Sequence, residues 1–253
     1  MLLLKDFRVA GKLALSIYKR DFDVTMKNDR TPVTEADLAV DKVIVAALEN
    51  TYPDIPVVSE ERPFDHVNKD NARRFFLVDP IDGTKEFIKK TDEFTINVAF
   101  IENGVPIAGV VYAPALGRLF IADVDGSVFE LDEQDNKKPL NVRDCSRTDL
   151  VAVASRSHNT PETQAFLDKN KIEGCVNAGS SLKFCVVAAG EADIYPRFSP
   201  TMEWDTAAGH AVLRAAGGQV VNIDRSPLTY GKVDFRNPNF IAFSPQAAKR
   251  CPA

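Results

Sequence analysis

The 253 residues are 45% hydrophobic and 26% charged, an ordinary composition with ample material for a core. With 31 basic against 36 acidic residues, the net charge of −5 argues against a nucleic-acid polymer as partner, which would need clustered Lys and Arg. It does not exclude a small anionic substrate, because bound cations invert the local field.

The opening Met1–Arg8 is interrupted by Lys5, Asp6 and Arg8, too early for a signal peptide or a membrane span. Leu3, Phe7, Ala10, Ala14 and Ile17 at helical spacing predict a helix over about 2–20. Lys5, Arg8 and Lys12 make that helix amphipathic, which leaves weak peripheral contact with the inner face of a membrane as the minor alternative to a core-facing helix. Residues 34–50 repeat the period with Val40, Val43, Ala47 and Leu48 inward, and Thr34 followed by Asp37 is a helix N-cap signal.

A strand over Phe75–Val78 closes at Asp79-Pro80. Four more strands are expected near 94–101, 105–112, 118–123 and 127–131, with Asn103-Gly104 and Asp125-Gly126 as hairpin turns, the pattern of an antiparallel meander. The polar stretch 132–149 interrupts this pattern and marks a boundary, dividing the chain into domains 1–140 and 141–253. Beyond it, strands (151–154, 192–195, 219–223, 240–243) alternate with helices (161–169, 180–189, 206–216), an α/β arrangement of two layered halves sharing a cleft. The cysteines 145, 175, 185 and 251 have no CxxC spacing and form no zinc pattern with His66, His158 and His210, so reduced thiols in a cytoplasmic protein are expected. Nothing in the sequence determines the oligomeric state.

The segment Asp79-Pro80-Ile81-Asp82-Gly83-Thr84 carries the strongest chemical signal. Two carboxylates three apart follow a buried strand, Pro80 disfavours a helical Asp79, and Gly83 lets the backbone approach a ligand. Thr84 opens a short helix whose free N–H groups attract an anion. Carboxylate oxygens suit a hard cation such as Mg²⁺, which keeps waters and binds substrate phosphate. A plain turn and cap is the alternative. Ser59-Glu60-Glu61 ends a second apolar run and reads as a solvated loop unless it joins that site. Asp205 sits where an N-cap is expected before the helix at 206, with a metal ligand as the equal alternative. Asp37 and Asp41 share one helix face. His158, Ser180, Lys183 and Arg197 bring cationic and hydroxyl groups into the second half, and Arg has the shape for bidentate phosphate contact.

Val33-Thr34-Glu35-Ala36-Asp37, Ser59-Glu60-Glu61, the Asp79–Thr84 segment and Trp204-Asp205-Thr206-Ala207-Ala208-Gly209 together resemble the ordered motifs of the inositol monophosphatase superfamily. Asp79–Lys89, Gly179–Cys185 and Trp204–Val212 look most similar to its 3'(2'),5'-bisphosphate nucleotidases of the CysQ type. The resemblance implies a layered α-β-α-β-α sandwich and a lithium-sensitive phosphatase using two or three Mg²⁺ ions. It also implies hydrolysis of 3'-phosphoadenosine 5'-phosphate (PAP), the by-product of sulfate assimilation, by direct attack of a metal-activated water. By position it implies Glu60, Asp79, the Ile81 carbonyl, Asp82 and Asp205 as metal ligands. Asp37, Glu60 and Thr84 would surround the attacking water. Glu60, Ile81, Asp82, Gly83, Thr84 and Asp205 would meet the scissile phosphate side, and His158, Ser180, Lys183 and Arg197 the rest of the nucleotide. An aspartyl-nucleophile phosphatase is disfavoured by the two residues between Asp79 and Asp82, since such sites resemble Asp-x-Asp. Inositol or sugar phosphates, and a ligand-binding module without turnover, stay open as alternatives.

Overall fold

The computed structural model describes residues 3–26, 32–62, 73–145, 149–154 and 160–251. The chain begins with α1 (Leu4–Tyr18), a short antiparallel pair β1 (Val24–Met26) and β2 (Pro32–Thr34), and α2 (Glu35–Thr51). There follow β3 (Val57–Ser59), β4 (Arg74–Asp82), α3 (Thr84–Ile88), β5 (Thr95–Glu102), β6 (Val105–Ala113), β7 (Arg118–Ala122), β8 (Val128–Leu131) and β9 (Lys137–Pro139). The later part comprises β10 (Val151–Ala154), α4 (Pro161–Lys169), β11 (Gly174–Asn177), α5 (Leu182–Ala188), β12 (Ile194–Arg197), β13 (Thr201–Met202) and α6 (Ala207–Ala215). It ends with β14 (Gln219–Asn222), β15 (Arg236–Asn237), β16 (Phe240–Phe243) and α7 (Pro245–Arg250).

Among the described residues, β3 to β9 form one seven-stranded sheet in chain order, antiparallel except for the β3–β4 pair. A second sheet has the order β11-β10-β12-β16-β14. Alternation along the strands explains the layering, because successive side chains point to opposite faces. Phe76 and Val78 face α1 and α2, whereas Phe75 and Leu77 face the space holding α5 and α6. On the far side of the second sheet, Leu167 of α4 and Ala247 of α7 pack with Ile194, Ile241 and Phe243. The result is a layered α-β-α-β-α sandwich. Both faces of the first sheet are covered, so β4 and β5 are buried almost continuously rather than at every second residue.

Several elements differ from the sequence expectation. The strand at 75–78 does not close at Asp79; β4 runs on to Asp82, with a bulge between Asp79 and Asp82 that accommodates Pro80 within the ladder. The polar stretch 132–149 is not wholly irregular: Lys137–Pro139 forms the exposed edge strand β9. The helix expected from Ser180 starts at Leu182, because Ser180 has φ 49° and Ser181 is the cap residue. Strand β11 was not expected, since Cys175 and Asn177 are exposed, the other two residues are only half-buried, and it begins on a glycine. Helix α1 buries Phe7, Ala10, Ala14 and Ile17 as expected, and Arg8 bonds to the Asp132 carbonyl and Asp135. All four cysteines are free thiols. Among the described residues no helix is long and apolar enough to cross a membrane.

Candidate active site

The ends of β3 and β4, the N-terminal ends of α3, α5 and α6, and strand β12 meet at a cleft of about 270 Å³. Its lining includes Glu60, Asp79, Ile81, Asp82, Gly83, Thr84, Ser180, Lys183, Arg197 and Asp205, residues far apart in sequence. Glu60 directly follows β3, and its N–H donates to the Val78 carbonyl (3.1 Å), which keeps it in register with β4. The bulge turns Asp79 and Asp82 toward the same cleft.

Glu60, Asp79 and Asp205 each present an oxygen within 4.8 Å of the others. Asp79 is 1% exposed, and its Oδ1 is buried with no hydrogen-bond partner. Burial, then the charges of Glu60, Asp82 and Asp205, push the Asp79 carboxyl well above the usual range. Burial and Asp82 do the same to Asp205. Burial also raises Asp82, offset in part by the positive charge of Lys183. An orphaned oxygen among self-repelling carboxylates is costly unless a cation completes the set. An all-oxygen donor group fits a hard divalent ion.

Asp37 caps α2 from within: its Oδ2 accepts from the Thr34 N–H (2.8 Å) and hydroxyl (2.6 Å). The expected capping signal is therefore a full capping box. Its other oxygen, Oδ1, lies 3.4 Å from the Thr84 hydroxyl, which is also 3.3 Å from the Ile81 carbonyl. Burial pushes Asp37 up to about 6. Asp41, on the same helix face, takes a structural role instead, accepting from Ser59 Oγ (2.5 Å) and Arg62 Nε (2.8 Å).

Gly83 has φ 88°, and a Cβ there would lie 2.2 Å from Ser180 Oγ. Glycine is thus required for both conformation and space. Ser180 lines the cleft, but its hydroxyl lies within hydrogen-bond distance of the Asp82 (2.9 Å) and Glu93 (2.8 Å) carbonyls and can donate to either, tying the end of β4 to the loop before β5. Lys183 is buried, its Nζ 5.5 Å from the Tyr195 ring centre, and burial lowers its ammonium to about 8. The Arg197 guanidinium is held by the Ser199 (3.3 Å) and Pro200 (3.4 Å) carbonyls. His158 lies outside the described residues.

Asp205 is not the cap of α6. Thr206 holds that position, and Asp205 Oδ2 accepts from the Met202 N–H (2.8 Å). Sequence reasoning missed Asn97 and Ser181. The buried Asn97 amide donates to Asp82 Oδ2 (3.3 Å) and Ser181 Oγ (3.0 Å), and Ser181 Oγ donates to the Asp205 carbonyl (2.6 Å). The signal was a lone amide side chain inside the apolar run Ile96–Ile101.

Carboxylates short of positive charge line one cleft together with Lys183 and Arg197, a donor set able to take a hard cation and a phosphate-bearing ligand. The chain belongs to the inositol monophosphatase family, whose sequence pattern matches residues 4–251. It is 45% identical over 236 residues to the 3'(2'),5'-bisphosphate nucleotidase CysQ of Escherichia coli strain K12, covering 92% of this chain and 94% of that one. Among solved structures, CysQ from Bacteroides thetaiotaomicron superposes with a TM-score of 0.84 at 38% identity, covering 96% of each chain. An inositol monophosphatase of Thermotoga maritima superposes with a TM-score of 0.80 at 26% identity, covering 98% of this chain and 92% of that one.

Proposed function

We propose that this chain is a Mg²⁺-dependent 3'(2'),5'-bisphosphate nucleotidase that hydrolyses PAP to AMP and phosphate. One observation carries the reading: a single cleft is lined both by a carboxylate cluster with an orphaned Asp79 oxygen and by the cations Lys183 and Arg197. A substrate with two phosphates satisfies both sets of groups, one phosphate through bound cations and one through direct basic contacts. The similarity to the 3'(2'),5'-bisphosphate nucleotidase of Escherichia coli supports the same substrate class.

In this reading Glu60, Asp79, the Ile81 carbonyl, Asp82 and Asp205 hold two or three Mg²⁺ ions. When bound, the metal polarises the phosphoryl oxygens and makes water a better nucleophile. The chain's own residues then position the reactants, which is most of what phosphoryl transfer requires. The Thr84 hydroxyl lies between Asp37 Oδ1 and the Ile81 carbonyl, so it can accept a hydrogen bond from water while donating to one of them. Glu60 is the second group oriented toward that water. Gly83 admits the phosphate against the backbone at the start of α3. As the water oxygen bonds to phosphorus, the ester P–O bond breaks and the leaving sugar oxygen takes up a proton. Ser180 is read as acting through the loops it ties, and Lys183 and Arg197 as binding the distal phosphate. The division near residue 140 belongs to this reading, with most carboxylates before it and Asp205, Lys183 and Arg197 after. So do lithium sensitivity, a cytoplasmic place beside sulfate assimilation, and at most loose contact with a membrane surface.

The test is a substrate panel at saturating Mg²⁺. PAP should be cleaved with a kcat/KM at least roughly tenfold above that on inositol 1-phosphate, as expected when a buried cationic subsite is left empty by the poorer substrate. Preference for inositol or sugar phosphates would reassign the substrate, and binding without phosphate release would remove the enzymatic reading.

A further inference from the structure

Asp205 sits in a turn held on one side by Ser181 Oγ, which donates to the Asp205 carbonyl, and on the other by a later stretch of chain. Thr201 and Met202 pair with Asn237 and Arg236. The Glu203 N–H donates to the Phe235 carbonyl (2.7 Å). The Asn237 amide donates to the Met202 carbonyl (2.8 Å) and to Thr206 Oγ1 (2.9 Å). Glu203 itself is fully buried. Its carboxylate accepts from the Gly231 N–H (2.7 Å) and the Lys232 N–H (2.9 Å), and pairs with Lys232 Nζ (2.6 Å). Its backbone carbonyl accepts from the N–H groups of Thr206 (3.2 Å) and Ala207 (3.0 Å), which lead into α6.

One residue thus holds both ends of the turn: its side chain grips residues 231–232 and its carbonyl fixes the start of α6. Trp204 and Asp205 lie between those two attachments. The turn needs such a hold, because it brings an Asp205 oxygen within 4.8 Å of oxygens of Glu60 and Asp79, groups of the same chemical type. Without it, repulsion would let the turn relax outward and spread the cluster. A buried carboxylate is costly to retain unless paired, and this one is fully paired away from the cleft. Its charge therefore does not confront a bound phosphate, although it is separated from Asp205 by a single residue.

We propose that Glu203 is a positioning residue for metal binding: through Gly231 and Lys232 it holds the Met202–Thr206 turn so that the Asp205 carboxylate meets Glu60 and Asp79. This rests on the reading of Asp205 as a metal ligand. The experiment counts free Mn²⁺ by electron paramagnetic resonance while the intact chain is titrated, comparing wild type with Glu203→Gln, Lys232→Met and Asp205→Asn. Glu203→Gln is expected to weaken Mn²⁺ binding about tenfold, the range seen when groups that orient a ligand are removed. Lys232→Met should weaken it less, since both backbone donors stay. The KM for PAP at saturating Mg²⁺ should not change in Glu203→Gln.

A cooperatively folded Glu203→Gln variant with wild-type Mn²⁺ affinity overturns the proposal, and so does a fall in its KM, which would mean that Glu203 repels substrate. If Glu203→Gln does not fold, Lys232→Met decides: a clear loss of Mn²⁺ affinity supports the positioning role, and wild-type affinity overturns it. Asp205→Asn separates the two levels of inference. Should it bind Mn²⁺ normally, the metal reading of Asp205 fails, whereas weak binding there with normal binding in Glu203→Gln defeats only the positioning role.

Discussion

Asp79 combines three properties seldom found together: near-complete burial, an unpartnered oxygen, and like charges on several sides. An unpaired buried carboxyl of this kind opposes folding, and under the proposed function it is retained because it holds a metal ion. Asp79→Asn is therefore expected to separate stability from turnover. With Mg²⁺ saturating, kcat should fall by roughly a thousandfold or more, since several kcal/mol of charge stabilisation is lost. Unfolded by urea in the presence of a chelator at pH 7.5, the same variant should be at least as stable as wild type. Near-normal turnover would remove Asp79 from the metal site. At this scale the sequence was informative about residue type and silent about partners. Asp37 and Asp41 look alike as two acids on one helix face, yet one reaches Thr84 and the other is tied to Ser59 and Arg62. No local pattern separates them, because their partners come from other elements.

Helix α6 is the element on which the cleft depends most. It packs against β6 through glycine: a Cβ on Gly109 would lie 2.7 Å from the Ala208 carbonyl and 2.8 Å from Ala211 Cβ. On its other side Gly209 would bring a Cβ to 2.6 Å from Phe184 Cδ2 of α5. The Ala207-Ala208-Gly209 run is therefore a close-packing surface as well as part of a recognisable motif. Gly109→Ala should push α6 away from the sheet and cost about 1–3 kcal/mol, the usual penalty of overpacking, measured by chemical denaturation. Because Asp205 lies just ahead of α6, the variant should also need more Mg²⁺ for half-maximal activity. Unchanged stability would mean that the helix can shift without penalty. The periodic helices and hairpins were legible because burial imposes their spacing locally. The bulge in β4, the start of α5 and the edge strands β9 and β11 were not, since each depends on a neighbour in space.

Across the molecule, one part of the pH response follows from the carboxylate cluster. Asp37 at about 6, and Asp79, Asp82 and Asp205 raised by burial, all hold protons to higher pH in the folded chain than in the unfolded one. For such groups the folded state binds more protons, so their contribution to stability falls as pH rises from about 4 through their folded values. Metal binding requires the deprotonated form, so protons and Mg²⁺ compete. His210, lowered to about 3 by burial, acts in the opposite sense: its contribution is lost as pH falls below its ordinary 6.5. Bonded to the Tyr230 hydroxyl (3.0 Å), it is common to both metal states and cancels in their difference. The rise in melting temperature on adding Mg²⁺ should therefore be small at pH 5 and grow toward pH 8. A shift that is absent, or the same at every pH, would count against a proton-competed metal site.

The sequence by itself determined the repeating elements, the order of the motifs and the chemical types gathered in them, because side-chain period and turn chemistry act over a few residues. It also sufficed for the layered fold, through motif order across most of the chain. Only the tertiary structure decided which oxygens meet. Glu60, Asp79 and Asp205 come from a strand end, a bulged strand and a turn before a helix, and separate contacts carry each into place. It also decided that Glu203, next to Trp204 in sequence, turns away from the cleft toward Gly231 and Lys232. The reason is physical: hydrogen bonds and like-charge repulsion depend on distance in space, which no spacing along one chain specifies.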